Sequence, residues 1–180
     1  MIRLFAAIAL PDDIASALGP RQKGLLGARW RAADTLHVTL RFFGSVREDV
    51  ADDLDAELAT VAQAPFEIVL SGAGCFSDGD DIRAVWAGVA ANEPLEILAG
   101  RCERAARRAG LMAERRAYRP HVTLAYLNRA DPSAVAAWMQ THNLLKSPSF
   151  PVRRFGLYSS WLSDAGSHYR LERAYPLAAS

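Results

Sequence analysis

Residues 36–44 read Leu36-His37-Val38-Thr39-Leu40-Arg41-Phe42-Phe43-Gly44, and the tetrad His37-Val38-Thr39-Leu40 returns as His121-Val122-Thr123-Leu124, 84 residues further on (121 minus 37). In a chain of 180 residues that offset is close to half the length, and self-similarity at a fixed spacing marks a duplicated unit. The echo extends outward, since Phe66 maps to Phe150 and Gly72 to Gly156. Residues 36–43, rich in branched and aromatic side chains, read as a strand closed by Gly44, and 122–127 read as its counterpart. A helix follows each strand. After the first, Ser45 and Glu48 have capping-box spacing ahead of Val50, Leu54, Leu58 and Val61 on one face. After the second, Asp131-Pro132 opens a helix carrying Val135, Trp138 and Met139. Strands over 66–74 and 82–89, and near 150–158 and 168–174, complete two copies of a strand, helix, strand, strand unit, with repeat cores at about 36–90 and 120–175. The expected fold class is α+β, two copies related by an approximate twofold that brings equivalent edges to a central cleft.

Around this frame, residues 2–10 read as a strand that ends at Pro11-Asp12-Asp13, and Gly19-Pro20 breaks the helix begun there, because proline lacks the amide hydrogen and clashes with the preceding turn. Between the repeats, Asn92 and Pro94 start a helix. Leu95, Leu98, Cys102, Ala105, Ala106 and Ala109 form its apolar stripe, and Gly110 stops it.

Side chains two apart on a strand share a face, so His37 and Thr39 point one way while Val38 and Leu40 point into the core. The second tetrad does the same. Two imidazoles on opposite sides of one small ligand suit acid-base chemistry at phosphorus, because imidazole titrates near neutral pH: one takes a proton from water, the other protonates the departing oxygen. Thr39 and Thr123 are placed to hydrogen-bond nonbridging phosphate oxygens. Duplication of a core explains why Val and Leu persist in both copies; it leaves the paired His and Thr unexplained. The remaining histidines, His142 near a helix end and His168 between Ser167 and Tyr169, read as structural.

Composition bounds the alternatives. With 51% apolar and 23% charged residues and a net charge of +1, one folded domain over residues 1–180 is expected, and disorder is excluded. No apolar run reaches a membrane-spanning length of roughly 18 residues, and the stretch 4–10 lacks a cleavage signal, so a cytoplasmic monomer is expected. Cys75 and Cys102 read as reduced core thiols. Cutting at residue 90 gives 8 Lys and Arg against 13 Asp and Glu in the first half, and 13 against 7 in the second. The second-half excess includes Arg101, Arg104, Arg107 and Arg108, of which Arg101, Arg104 and Arg108 fit a solvated helix face, and Arg115, Arg116 and Arg119, in the loop before His121. Neither tetrad offers a second histidine or a carboxylate at ligand spacing, so no metal and no cofactor are expected.

At these residues the chain resembles the two-histidine (2H) phosphoesterase superfamily, and within it the RNA 2′,3′-cyclic phosphodiesterases of the LigT-like, or 2′-5′ RNA ligase, family. The resemblance runs from Arg3-Leu4-Phe5 through Trp30, the two tetrads, Gly72-Ala73-Gly74-Cys75-Phe76 and Val85-Trp86 to Tyr169-Arg170-Leu171. It implies a bilobal, pseudo-twofold fold in which mostly antiparallel sheets surround a central cleft with helices outside, as one domain of two intertwined lobes. It further implies metal-independent hydrolysis of a 2′,3′-cyclic phosphate on RNA or a nucleotide to a 2′-phosphomonoester. His37 would be the general acid, His121 the general base, and Thr39 and Thr123 the phosphate ligands. One departure stands out: where members commonly carry arginine, three residues after the second motif's threonine, this chain has Tyr126. Arg41, on the His37 face by simple alternation, and Arg115, Arg116 and Arg119 are therefore candidate anion clamps, and Tyr118, Tyr126 and Phe42 candidate base contacts, with core packing the first expectation for Phe42. RNA-end binding without catalysis, and 2′-5′ RNA ligation, are the alternative activities.

Overall fold

Leu4, Phe5, Ala6, Ala7 and Ile8 are all buried, on both faces of their strand, and a strand apolar on both faces belongs in the middle of a sheet. In the computed structural model, which describes residues 1–163 and 166–178, this strand is β1 (Ile2–Ala9), and it lies between β3 (His37–Val46) and β9 (Arg154–Ser163). With β10 (Gly166–Pro176) they form a sheet of order β10-β9-β1-β3. A second sheet has the order β2-β7-β6-β5, from β2 (Arg29–Trp30), β5 (Leu70–Asp78), β6 (Asp81–Val89) and β7 (His121–Tyr126). A short pair, β4 (Phe66–Ile68) with β8 (Phe150–Val152), completes the β structure among the described residues. Every pairing among these strands is antiparallel.

The hairpin β9-β10 follows β7 in the chain but joins the sheet of β3, and the hairpin β5-β6 follows β3 but joins the sheet of β7. Each motif strand is thus completed by the other copy's hairpin. In the β4-β8 pair Phe66 faces Val152 and Ile68 faces Phe150, so positions 84 apart cross-pair as they do about a local twofold.

Helices α1 (Asp12–Leu18), α2 (Glu48–Ala59), α3 (Glu93–Arg108) and α4 (Pro132–His142) cover the sheets. Asn92 caps α3 by accepting from Leu95 N–H at 2.9 Å, and Asp131 caps α4 by accepting from Ser133 N–H at 2.9 Å. Leu54 and Leu58 of α2 and Leu95, Leu98 and Cys102 of α3 share one buried cluster; each such leucine contributes about 1.5–3 kcal/mol relative to exposure. Burial pushes the Cys102 thiol up to about 12, so it stays protonated, while Cys75 is only half-buried, and both are free. Arg108 pairs with Glu57 of α2 and Arg101 donates to the Ala62 carbonyl just beyond it, so two arginines of the basic stretch tie α3 to α2 and the segment that follows it.

Three sequence expectations change. Gly44 does not close its strand: it sits inside β3 at φ +77, where Ile2 and Arg3 pair with Val46 and Ser45 and carry the ladder onward. Ser45 is held in that ladder, so no capping box forms, and α2 begins after Arg47 without a side-chain cap. Residues 66–74 and 150–158 are each two strands, because β4 and β8 leave to meet one another while β5 pairs with β6 and β9 with β1 and β10.

Candidate active site

The edge strand β3 of one sheet approaches β7 of the other, which brings the two tetrads side by side. A bulge follows each tetrad. On β3, Ala9, Ala7, Ala6 and Phe5 of β1 pair with His37, Thr39, Arg41 and Phe42 in turn, so one residue is skipped at Leu40 and alternation reverses there. On β7, Gly88, Trp86, Val85 and Ala84 of β6 pair with His121, Thr123, Ala125 and Tyr126, with the same reversal at Leu124. After each bulge it is the third residue beyond the threonine, Phe42 or Tyr126, that rejoins the histidine face.

This corrects the placement of Arg41. Its guanidinium points away from the histidines, donating to Glu103 at 2.5 Å, to the Met112 carbonyl at 2.8 Å and, more weakly, to Glu114 at 3.4 Å. Phe42 is corrected as well: it is 37% exposed and lines the cleft instead of packing in the core. That cleft, of about 470 Å³, is lined by His37, Thr39, Phe5, Phe42, Tyr126 and Tyr169 among others.

Both imidazoles are held in the same way. His37 Nδ1 lies 2.7 Å from the Thr35 carbonyl and His121 Nδ1 lies 2.6 Å from the Arg119 carbonyl, each two residues upstream. A carbonyl only accepts, so Nδ1 carries the hydrogen in both rings and Nε2 is left to take or give a proton. Aromatic rings fix the orientation: Phe5 at 5.0 Å and Tyr169 at 5.3 Å from His37, Phe76 at 4.7 Å and Trp86 at 6.1 Å from His121. Burial pushes His37 down to about 4; the Thr35 carbonyl opposes this, and the charges of Arg31 and His121 add to it. Burial also lowers His121, against the pull of the Arg119 carbonyl. The charge of His121 reaches His37 across the cleft. Thr39 and Thr123 are both half-buried, and neither hydroxyl is engaged by another described residue.

Of the remaining candidates, Tyr118 is half-buried and donates from its hydroxyl to the Thr39 carbonyl at 3.1 Å, bracing the motif strand. Arg116 pairs with Glu114, and Arg115 and Arg119 are exposed on the loop before β7. Tyr126 stands in the cleft, which Tyr169 also lines.

Arg31 escaped the sequence reading. Arg29 and Trp30 pair with Tyr126 and Ala125, and the Arg31 amide donates to the Leu124 carbonyl at 2.8 Å, so β2 carries Arg31 onto the cleft side of β7. Its guanidinium lies 5.8 Å from the Tyr126 ring and 5.1 Å from the Tyr169 ring, and its charge reaches His37. Nη2 is buried without a hydrogen-bond partner, and no carboxylate pairs with Arg31 among the described residues. The available signal was the two-residue spacing from Arg29 on a strand next to the arginine-deficient β7.

No group of three or more His, Cys, Asp or Glu gathers as a metal site among the described residues, and no described helix is long and apolar enough to cross a membrane.

A family model described as the 2′-5′ RNA ligase superfamily matches residues 10–161. The RNA 2′,3′-cyclic phosphodiesterase of Archaeoglobus fulgidus is 28% identical over 177 residues, covering 97% of this chain and 99% of that protein. The protein of the same name from Aeropyrum pernix is 37% identical over 139 residues, 76% of this chain and 79% of its own length. The crystal structure of Escherichia coli LigT complexed with 3′-AMP matches with a TM-score of 0.80 and 27% identity over 98% of both chains. A Thermus thermophilus structure at 24% identity, covering 99% of both chains, shares the fold with a TM-score of 0.81. The chain belongs to the 2′-5′ RNA ligase superfamily, as a protein of the two-histidine phosphoesterase kind.

Proposed function

We propose that this protein hydrolyses the 2′,3′-cyclic phosphate at an RNA end, or on a nucleotide, to a 2′-phosphomonoester. The observation that carries this reading is the matched pair of Nδ1 clamps, which leave two Nε2 atoms free for proton transfer on neighbouring strands. His121 Nε2 takes a proton from water as its oxygen forms the new bond to phosphorus. His37, protonated, gives its proton to O3′ as the P–O3′ bond breaks, and the 2′ ester remains. This order of acid and base follows the family resemblance. His37 is lowered first of all by burial and then by the Arg31 charge, and the negative charge of a bound phosphate works against both by favouring the imidazolium.

Thr39 and Thr123 donate to the nonbridging oxygens, and Arg31 supplies the cation that Tyr126 does not. A guanidinium nitrogen buried without an acceptor is costly in an empty protein and is satisfied by a phosphate oxygen. Phe42 and Tyr126 offer rings to the terminal base.

The test is incubation with 2′,3′-cyclic nucleotides and cyclic-phosphate-ended oligoribonucleotides in the presence of a chelator, with chromatographic separation of the 2′ and 3′ phosphates. A 2′-phosphate product is expected. Binding without turnover, or a 3′-phosphate product, overturns the proposal.

A further inference from the structure

The sheet face that carries His37 does not end at the cleft. Residues opposite one another on adjacent strands share a face, so Ala9 and Ala7 of β1 share that of His37 and Thr39. Across the next strand, Gly156 of β9 faces Ala7 and Tyr158 faces Phe5. Arg154, two residues before Gly156, points the same way. Ala7, Ala9, Arg154, Gly156 and Tyr158 line a second cavity of about 570 Å³, separate from the cleft.

Its floor is made of small residues, and one of them is required. A Cβ on Gly156 would come within 2.6 Å of Leu171 Cδ1 and 2.7 Å of Tyr158 Cε2, so the glycine lets those two side chains lie low as the wall. Tyr158 stacks on Phe5 at 5.4 Å, and Phe5 touches His37, so the wall is continuous with the histidine pocket. Arg154 is exposed and has no ion-pair partner among the described residues, and its charge reaches the Tyr158 phenol. Arg153 and Asp12 also border the cavity, which leaves it net positive. From β3 to β9 is two strand spacings, about 10 Å, within reach of the neighbouring phosphate of a nucleic-acid strand.

We propose that this cavity is a subsite for the penultimate nucleotide of an RNA strand, with Arg154 pairing to the phosphodiester on the 5′ side of the terminal nucleotide. The inference rests on the reaction proposed above and adds a preference for oligonucleotides over mononucleotides.

The experiment compares a trinucleotide ending in a 2′,3′-cyclic phosphate with adenosine 2′,3′-cyclic phosphate, for the wild-type protein, Arg154→Ala and Arg154→Lys. The wild type should favour the trinucleotide in kcat/KM. Arg154→Ala should reduce the trinucleotide-to-mononucleotide ratio about ten-fold, chiefly through KM, and Arg154→Lys should restore part of it. A ratio unchanged by Arg154→Ala, or a wild type that treats both substrates alike, overturns the subsite. Were there no turnover on either substrate, the function proposed above would fail and this inference would still be decided by titration with a 3′-phosphate-ended trinucleotide and with adenosine 3′-phosphate. Arg154→Ala should weaken only the former; equal effects on both overturn the proposal.

Discussion

The pocket of His37 and the pocket of His121 keep the same hydrogen bond and differ in almost everything around it. Each ring gives Nδ1–H to a carbonyl two residues upstream, followed by an x-Thr-x segment and a bulge. His37, however, lies among Phe5, Tyr169 and the Arg31 charge, whereas His121 lies against Phe76 and a Trp86 ring resting on Gly74. Symmetry is therefore retained where it fixes the tautomer and given up where it sets proton affinity. Two identical imidazoles would titrate alike; here burial and the Arg31 charge press His37 further down than His121, so for the proposed reaction the charge of a bound phosphate, and not the pockets alone, must hold the proton on His37.

Removing either ring breaks the comparison most severely. His37→Ala and His121→Ala should each lower kcat by about 10³-fold, within the range of acid-base catalysis, measured on a cyclic nucleotide with folding checked by circular dichroism. Near-wild-type turnover in either variant would mean that the two pockets are not functionally paired.

A smaller effect is expected from the charge that distinguishes them. Arg31→Met should lower kcat/KM about 10- to 100-fold, mainly through KM, as loss of a charge-assisted contact does. It should also move the pH profile. Both histidines titrate below 6.5, so kcat/KM of the parent should peak on the acidic side of 6.5 and fall as pH rises past the higher of the two values. Taking a positive charge from beside His37 favours its protonated form, so the acid limb should shift to higher pH in the variant. A weakened KM with an unmoved limb would separate Arg31 from His37.

The mildest change addresses the other pocket. A Cβ on Gly74 would lie 2.3 Å from the Trp86 ring, so Gly74→Ala must displace the ring that backs His121. A stability loss of about 1–3 kcal/mol in denaturant unfolding is expected, with a fall in kcat larger than any change in KM. Unaltered stability would show that Trp86 does not rest on the glycine.

Much of this was legible along the chain. The α3 stripe and its Asn92 cap, the Asp131 cap of α4, and the break at Gly19-Pro20 are local signals, and local hydrogen bonding or ring geometry enforces them wherever they sit. Arg41 and Phe42 were misread for a definite reason. Alternation places Arg41 with the histidines, and the bulge at Leu40, which exists only because β1 pairs on both sides of it, reverses their order. The capping box at Ser45 failed similarly, because ladder pairing with Arg3 outcompeted a single side-chain bond.

What the sequence determined by itself was the duplicated His-x-Thr-x tetrads, the residues that flank them and the family to which they belong. Tertiary structure alone decided which copy completes which sheet, that Phe42 and Tyr126 turn into the cleft while Arg41 turns out, and that Arg31 arrives beside His37 from β2. The reason is physical. A tautomer clamp spans two residues and is written locally, whereas the electrostatic field at an imidazole is summed over groups that chain pairing brings from anywhere in the sequence.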